Sequence, residues 1–132
     1  MTPSFVHLRA RSTYSLLEGA IRIKQLAELA TKNNMPALAL TDHDNLFASL
    51  DFSMVASGAG VQPIIGSILS FSPMEKAESS QQPANAAPDQ LLLLAKSDEG
   101  YQNLLYLCSK TYTSPDGGIA PRLRYEDLEG YT

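Results

Sequence analysis

The sequence predicts an α/β fold built on a mostly parallel sheet. Short apolar runs that suit buried strands alternate with longer segments whose apolar residues recur at helical spacing. They follow one another in the order strand, helix, strand, helix, strand, strand, helix, which favours parallel strands joined by right-handed crossovers. A closed eight-fold α/β barrel takes roughly 250 residues. With 132 residues and no evident closing element, we expect the leading part of a larger barrel rather than a small open sheet.

The first predicted strand and helix lie before residue 37. Residues 5–11 alternate between two kinds of side chain, which predicts a strand. One face carries Val6, Leu8 and Ala10, and the other carries His7, Arg9 and Arg11. A helix follows, because its apolar residues are spaced at i, i+3, i+4 and i+7, namely Ile23, Leu26, Ala27 and Ala30. Residues 33–36, which include Pro36, end this helix.

The next strand, helix and strand are predicted between residues 37 and 71. Residues 37–40 are wholly apolar and suit a strand buried on both faces, followed by a polar turn at residues 41–45. A second helix is expected from Leu46 to about Ala56, ended by glycines. A third strand should run from Val61 to Ile65 and continue towards Phe71.

The rest of the chain opens with a stretch, residues 72–89, that is rich in small and polar residues and predicts a variable surface loop. A fourth buried strand is expected at residues 91–95. The helix after it can be capped by Ser97 or Asp98, and its apolar positions are Leu104, Leu105, Leu107, Cys108 and Tyr112. A turn is predicted at residues 114–118 and a short helical turn at residues 123–128.

Composition and charge narrow the class of protein. The net charge of -4, with basic residues spread along the chain, argues against a free-standing nucleic-acid-binding module. No apolar run approaches a membrane span and no signal peptide is evident, so we expect a soluble, cytoplasmic protein without membrane contact. The one cysteine, Cys108, allows no internal disulfide and no cysteine-based zinc site, and we expect it in the core.

Polar residues follow the predicted strands at the edge where ligands bind in such folds. Asp42, His43 and Asp44 form the most suggestive cluster, since two carboxylates and an imidazole can hold a divalent metal ion. Adjacent residues rarely all point at one ion, however, and the neighbouring strands offer Arg and Ile instead of further ligands. The alternative is a polar loop in which Asn45 or Asp44 caps the following helix.

His7, Arg9 and Arg11 share one face of the first predicted strand. A lone histidine such as His7 is more often a hydrogen-bonded structural residue than a ligand. The two arginines have the forked geometry that binds phosphate, and their alternative role is to neutralise carboxylates such as Asp42. The sequence has no Gly-rich phosphate loop, no Cys or Ser nucleophile motif and no convincing acid/base pair of carboxylates.

Four stretches then point to a family. They read FVHLRARS with YSLLEGA at residues 5–12 and 14–20, ALALTDHDNLF at 37–47, PIIG at 63–66, and LLLAK with GYQNL at 92–96 and 100–104. In order and spacing they resemble the PHP (polymerase and histidinol phosphatase) domain that opens bacterial DNA polymerase III alpha subunits. The resemblance implies that residues 1–132 are the N-terminal portion of a single PHP domain, a distorted seven-stranded (β/α)7 barrel, without the polymerase domains.

The resemblance also implies that part of a metal site is lost. Active members of the family bind metal through a His-x-His pair at the end of the first strand, and Arg9 and Arg11 occupy those positions here. Ile68 stands where a glutamate ligand follows the glycine of the third strand. Arginine stays protonated and has no lone pair for a cation. We therefore expect no catalytic residue, metal or cofactor in this segment.

Other positions of the family's site are kept. Asp42 and His43 match its Asp-His pair, and Glu18 stands where the family usually has an acidic residue. Together with Arg9, Arg11 and Ile68, these are the vestigial metal-site positions. We hypothesise that the two arginines fill the former metal space and pair with Asp42.

The function implied by the resemblance is that of the parent chain, DNA-directed DNA synthesis in chromosome replication. The segment itself would be a structural platform and a docking region for the proofreading exonuclease subunit, within a holoenzyme of several subunits. DNA would be contacted only by domains that are not present here. Two alternatives stay open: an active metal-dependent phosphoesterase, acting as a 3'-5' exonuclease or pyrophosphatase, and a self-contained binding module.

Overall fold

The computed structural model describes residues 5–72, 87–113 and 122–131. Three α-helices lie at Ile23–Lys32 (α1), Ser49–Gly58 (α2) and Asp98–Thr113 (α3). Three strands lie at Ala37–His43 (β1), Gln62–Phe71 (β2) and Asp89–Leu94 (β3), and a 3-10 turn spans Tyr125–Leu128. The α/β class is confirmed, and so is the order of the elements that follow the predicted first strand.

The sheet is mixed, in the order β1-β2-β3. β1 and β2 are parallel, as expected, whereas β3 pairs with β2 in the antiparallel direction. An antiparallel neighbour needs no helical crossover, which agrees with the loop-like composition of residues 72–89. Because β3 lies at an edge, Leu91, Leu92 and Leu93 are only half-buried and Leu94 is exposed. The strand predicted at residues 91–95 is therefore present as β3, but the expectation that it is buried is wrong.

The prediction of a regular first strand at residues 5–11 is also wrong. Residues 5–11 run beside β1, where the backbone N–H groups of Ala39 and Thr41 donate to the carbonyls of His7 and Ala10, at 2.9 and 2.8 Å. These carbonyls lie three residues apart while their donors lie two apart, so a continuous ladder does not form. The expected polar turn at residues 41–45 differs as well, because β1 continues as far as His43, which pairs with Ile68.

Two clusters of buried side chains form the core. The first joins α1, α2 and β1 and consists of Ile23, Leu26, Ala30, Leu38, Leu40, Ala48, Phe52, Ala56 and Val61. The second joins β2 to α3 and consists of Leu69, Phe71, Leu107, Cys108 and Leu123. Ile65, at the rim of the first cluster, shares with Leu69 and Phe71 the alternation that places side chains on one face of a strand. All three helices therefore pack on the same face of the sheet.

The helix predictions are confirmed in detail for α1, whose buried residues are Ile23, Leu26, Ala27 and Ala30. In α3 the hydroxyl of Ser97 accepts a hydrogen bond from the backbone of Gly100 at 3.2 Å, which is the expected cap. Cys108 is buried as expected, but Leu105 and Tyr112 are exposed. The predicted turn at residues 114–118 and most of the predicted loop, residues 73–86, lie outside the described residues. Among the helices in the described ranges, none has the length and apolarity needed to cross a membrane.

We predict that Gly66→Ala destabilises the fold by roughly 2 kcal/mol or more, because there is no room for the added carbon. A Cβ at Gly66 would lie 2.4 Å from the carbonyl oxygen of Leu93 in the adjacent strand. Urea unfolding measures the loss. The matched control is Gly58→Ala at the end of α2, where a Cβ would meet nothing within 4 Å, and its effect should stay within about 1 kcal/mol. Equal effects of the two substitutions would contradict this packing.

A second prediction concerns the thiol of Cys108. Burial is the main cause that raises its pKa from 9.0 to about 11, opposed by a hydrogen bond with Ser67 and reinforced by the charge of Asp44. A raised pKa means that the stabilising contribution is complete below about pH 9 and is lost as the pH rises towards 11. The difference in unfolding free energy between the unaltered protein and Cys108→Ala should therefore be constant below this window and shrink within it. A difference that stays constant up to pH 11 would refute the prediction.

Candidate functional site

The polar residues meet where the parallel strands β1 and β2 end, under the loop that follows residues 5–11. The group consists of Arg11, Glu18, Asp42, His43, Asp44 and Ser70, and we call it the mouth site. Ser12 and Ile21 form an isolated bridge that closes the base of the loop. Gly19 is required there, since a Cβ would lie 2.0 Å from the carbonyl oxygen of Ser12.

Asp42 holds this loop against β1. Its side chain is buried, and both oxygens accept short hydrogen bonds: Oδ1 from the backbone N–H of Ser12 and the hydroxyl of Ser15, and Oδ2 from the hydroxyl of Ser12, each at 2.7 Å. Ser15 Oγ also accepts the backbone N–H of His43 at 3.1 Å. A buried carboxylate is tolerated only when hydrogen bonds of this kind replace its water. Asp42 therefore connects the loop to the end of β1.

The arginines do not pair with Asp42. Arg11 Nη1 lies 2.6 Å from Glu18 Oε2, and Arg9 is exposed. Of the ion pairs between described residues, none joins Asp42 to either arginine. The hypothesis of an arginine–Asp42 pair is therefore wrong, because Ser12 and Ser15 already satisfy the buried carboxylate and the more exposed Glu18 remains for Arg11.

His43 lies between Glu18 and Asp44 and continues the series of polar contacts inward. Its Nδ1 lies 3.3 Å from Glu18 Oε2, and its Nε2 lies 3.2 Å from Asp44 Oδ2. Asp44 in turn accepts hydrogen bonds from the backbone N–H and the hydroxyl of Ser70, both at 2.8 Å. The order Arg11, Glu18, His43, Asp44 thus places carboxylates next to groups that are or can be cationic.

Ser70, His43 and Glu18 have the order of a nucleophilic triad, with Ser70 Oγ 2.8 Å from His43 Nε2. The hydroxyl of Ser70, however, donates to Asp44, and Ser70 is only 3% exposed. A nucleophile must give its proton to the histidine and reach a substrate. Ser70 does neither. Its hydrogen bonds to Asp44 instead connect β2 to the end of β1.

The other predicted site residues have structural roles or lie on the surface. Ile68 is buried, and its backbone carbonyl accepts the N–H of Asp44 at 2.8 Å. Asn45 Oδ1 accepts the N–H of Phe47 at 3.2 Å, so it shapes the turn before α2, although the cap residue of that helix is Ala48. His7 is exposed and its ring meets that of Phe5 edge-on, with centroids 4.5 Å apart.

The hydrogen-bonded serines are the residues of the mouth site whose part in it the sequence did not reveal. Ser12, Ser15 and Ser70 are joined to Asp42 and Asp44 across 26 to 30 positions of the chain. No short motif marks such partners. Within the described ranges, every buried side-chain nitrogen and oxygen has a hydrogen-bond partner, and no group of three or more His, Cys, Asp or Glu residues could hold a metal ion.

Comparison with known proteins agrees with the resemblance seen in the sequence. The family profile described as the PHP domain matches residues 7–132. DNA polymerase III subunit alpha of Rickettsia prowazekii is 45% identical over 131 residues, which cover 99% of this chain and 10% of that protein. The subunits of Borreliella burgdorferi and Caulobacter vibrioides are 41% and 46% identical, over 97% and 82% of this chain and 11% and 9% of their own length. The chain thus spans about a tenth of these relatives.

A solved structure shares the fold. It is an amidohydrolase from Chromobacterium violaceum, determined with bound sulfate and no metal. The TM-score is 0.59 at 18% sequence identity, and the match covers 82% of this chain and 33% of the other. At this identity the likeness supports the α/β fold of a partial barrel and carries nothing about substrate.

We predict that Asp42→Ala lowers the free energy of unfolding by about 3 kcal/mol, since it removes the shared acceptor of three buried donors. Chemical denaturation measures this loss. Asp51→Ala is the matched control, because Asp51 is exposed in the first turn of α2, and its cost should stay below about 1 kcal/mol. A loss at Asp42 no larger than that at Asp51 would show that the hydrogen bonds of Asp42 do not hold the loop.

Proposed function

The chain belongs to the PHP domain family, and from this premise we propose that it is the N-terminal PHP part of a bacterial DNA polymerase III alpha subunit. The support is identity of 40–45% to several such subunits over 97% or more of this chain. The parent polypeptide would carry out DNA-directed DNA synthesis in the cytoplasm during chromosome replication. Its polymerase chemistry would reside in domains outside these 132 residues.

Within that parent, the mouth site is proposed to be a structural connector and not a hydrolytic centre. The observation that carries this proposal is the chain of contacts from Arg11 through Glu18 and His43 to Asp44. In metal-binding members of the family, cations would balance carboxylates at this edge of the sheet. Here a guanidinium lies on Glu18 instead, and a guanidinium both repels a metal ion and lacks a lone pair to bind it.

The remaining positions support the same proposal. Asp42 has both oxygens engaged by Ser12 and Ser15, and a metal ion would have to displace these donors. Ile68 offers no side-chain ligand and is buried. These residues do not fit a bound metal cluster, and no hydrolytic step is assigned to them.

The proposed partners follow from the proposed parent. The domain would serve as a platform within the polymerase holoenzyme and as a docking region for the proofreading exonuclease subunit. DNA contact would come from the other domains, which agrees with the net charge of -4 in this segment. The chain following residue 132, together with primer extension by the full-length product, tests the parent assignment.

We predict that the full-length protein gains affinity for Mn²⁺ when Arg9→His and Arg11→His are combined. The gain should be at least about tenfold, because two fixed cations are replaced by imidazoles that can ligate. Isothermal calorimetry measures it. Lys24→His combined with Lys32→His, on the surface of α1, removes the same two charges elsewhere and should leave Mn²⁺ affinity unchanged. If the unaltered protein binds Mn²⁺ tightly and hydrolyses phosphoesters with it, the alternative of an active phosphoesterase replaces the proposal.

A further inference from the structure

We draw no further inference here: the strongest candidate, the exposed apolar surface that Leu50 and Met54 of α2 form with Phe47 in the turn before it, carries none because nothing in the structure or the comparisons shows what covers it.

Discussion

The buried carboxylate of Asp42 is the constraint on which the rest of the mouth site depends. It takes three hydrogen bonds of 2.7 Å from Ser12 and Ser15, and these bonds fix the loop over the end of β1. A buried charge without such partners costs several kcal/mol or more. The fixed loop places Glu18 within reach of Arg11 and His43. The geometry of the mouth therefore follows from the way one carboxylate is satisfied.

The carboxylates of the mouth site are also balanced by neighbouring cationic or imidazole groups. Glu18 lies beside the guanidinium of Arg11 and the imidazole of His43, and Asp44 lies beside the same imidazole. In the proposal made here, this arrangement replaces the metal ions of active relatives and keeps the strand ends joined without them. Arg11 and Glu18 are partly exposed, so their pair contributes modestly to stability. The buried bonds of Asp42 and Asp44 carry more of the cohesion.

Much of the fold could be predicted from local patterns, because the helical spacing of α1 and the apolar run of β1 are visible directly in the sequence. The barrel architecture was predicted from the resemblance to the PHP domain, and the family comparison confirms that resemblance. The pattern could not show that β3 pairs in the antiparallel direction or that residues 5–11 fail to form a ladder, since both depend on partners distant in the chain. Nor could it show the partner of Asp42. Charge alone favoured an arginine, whereas two serines lie closer and satisfy a buried carboxylate without burying a cation.

Anomalous diffraction from crystals soaked in manganese shows whether a metal ion can bind Asp42, since it locates ions independently of activity. If Asp42 is a saturated hydrogen-bond acceptor, no ordered manganese peak will lie beside Asp42 or His43, and the bonds from Ser12 and Ser15 will be unchanged. An ordered manganese ion bound to Asp42, with Ser12 or Ser15 displaced, would contradict the account.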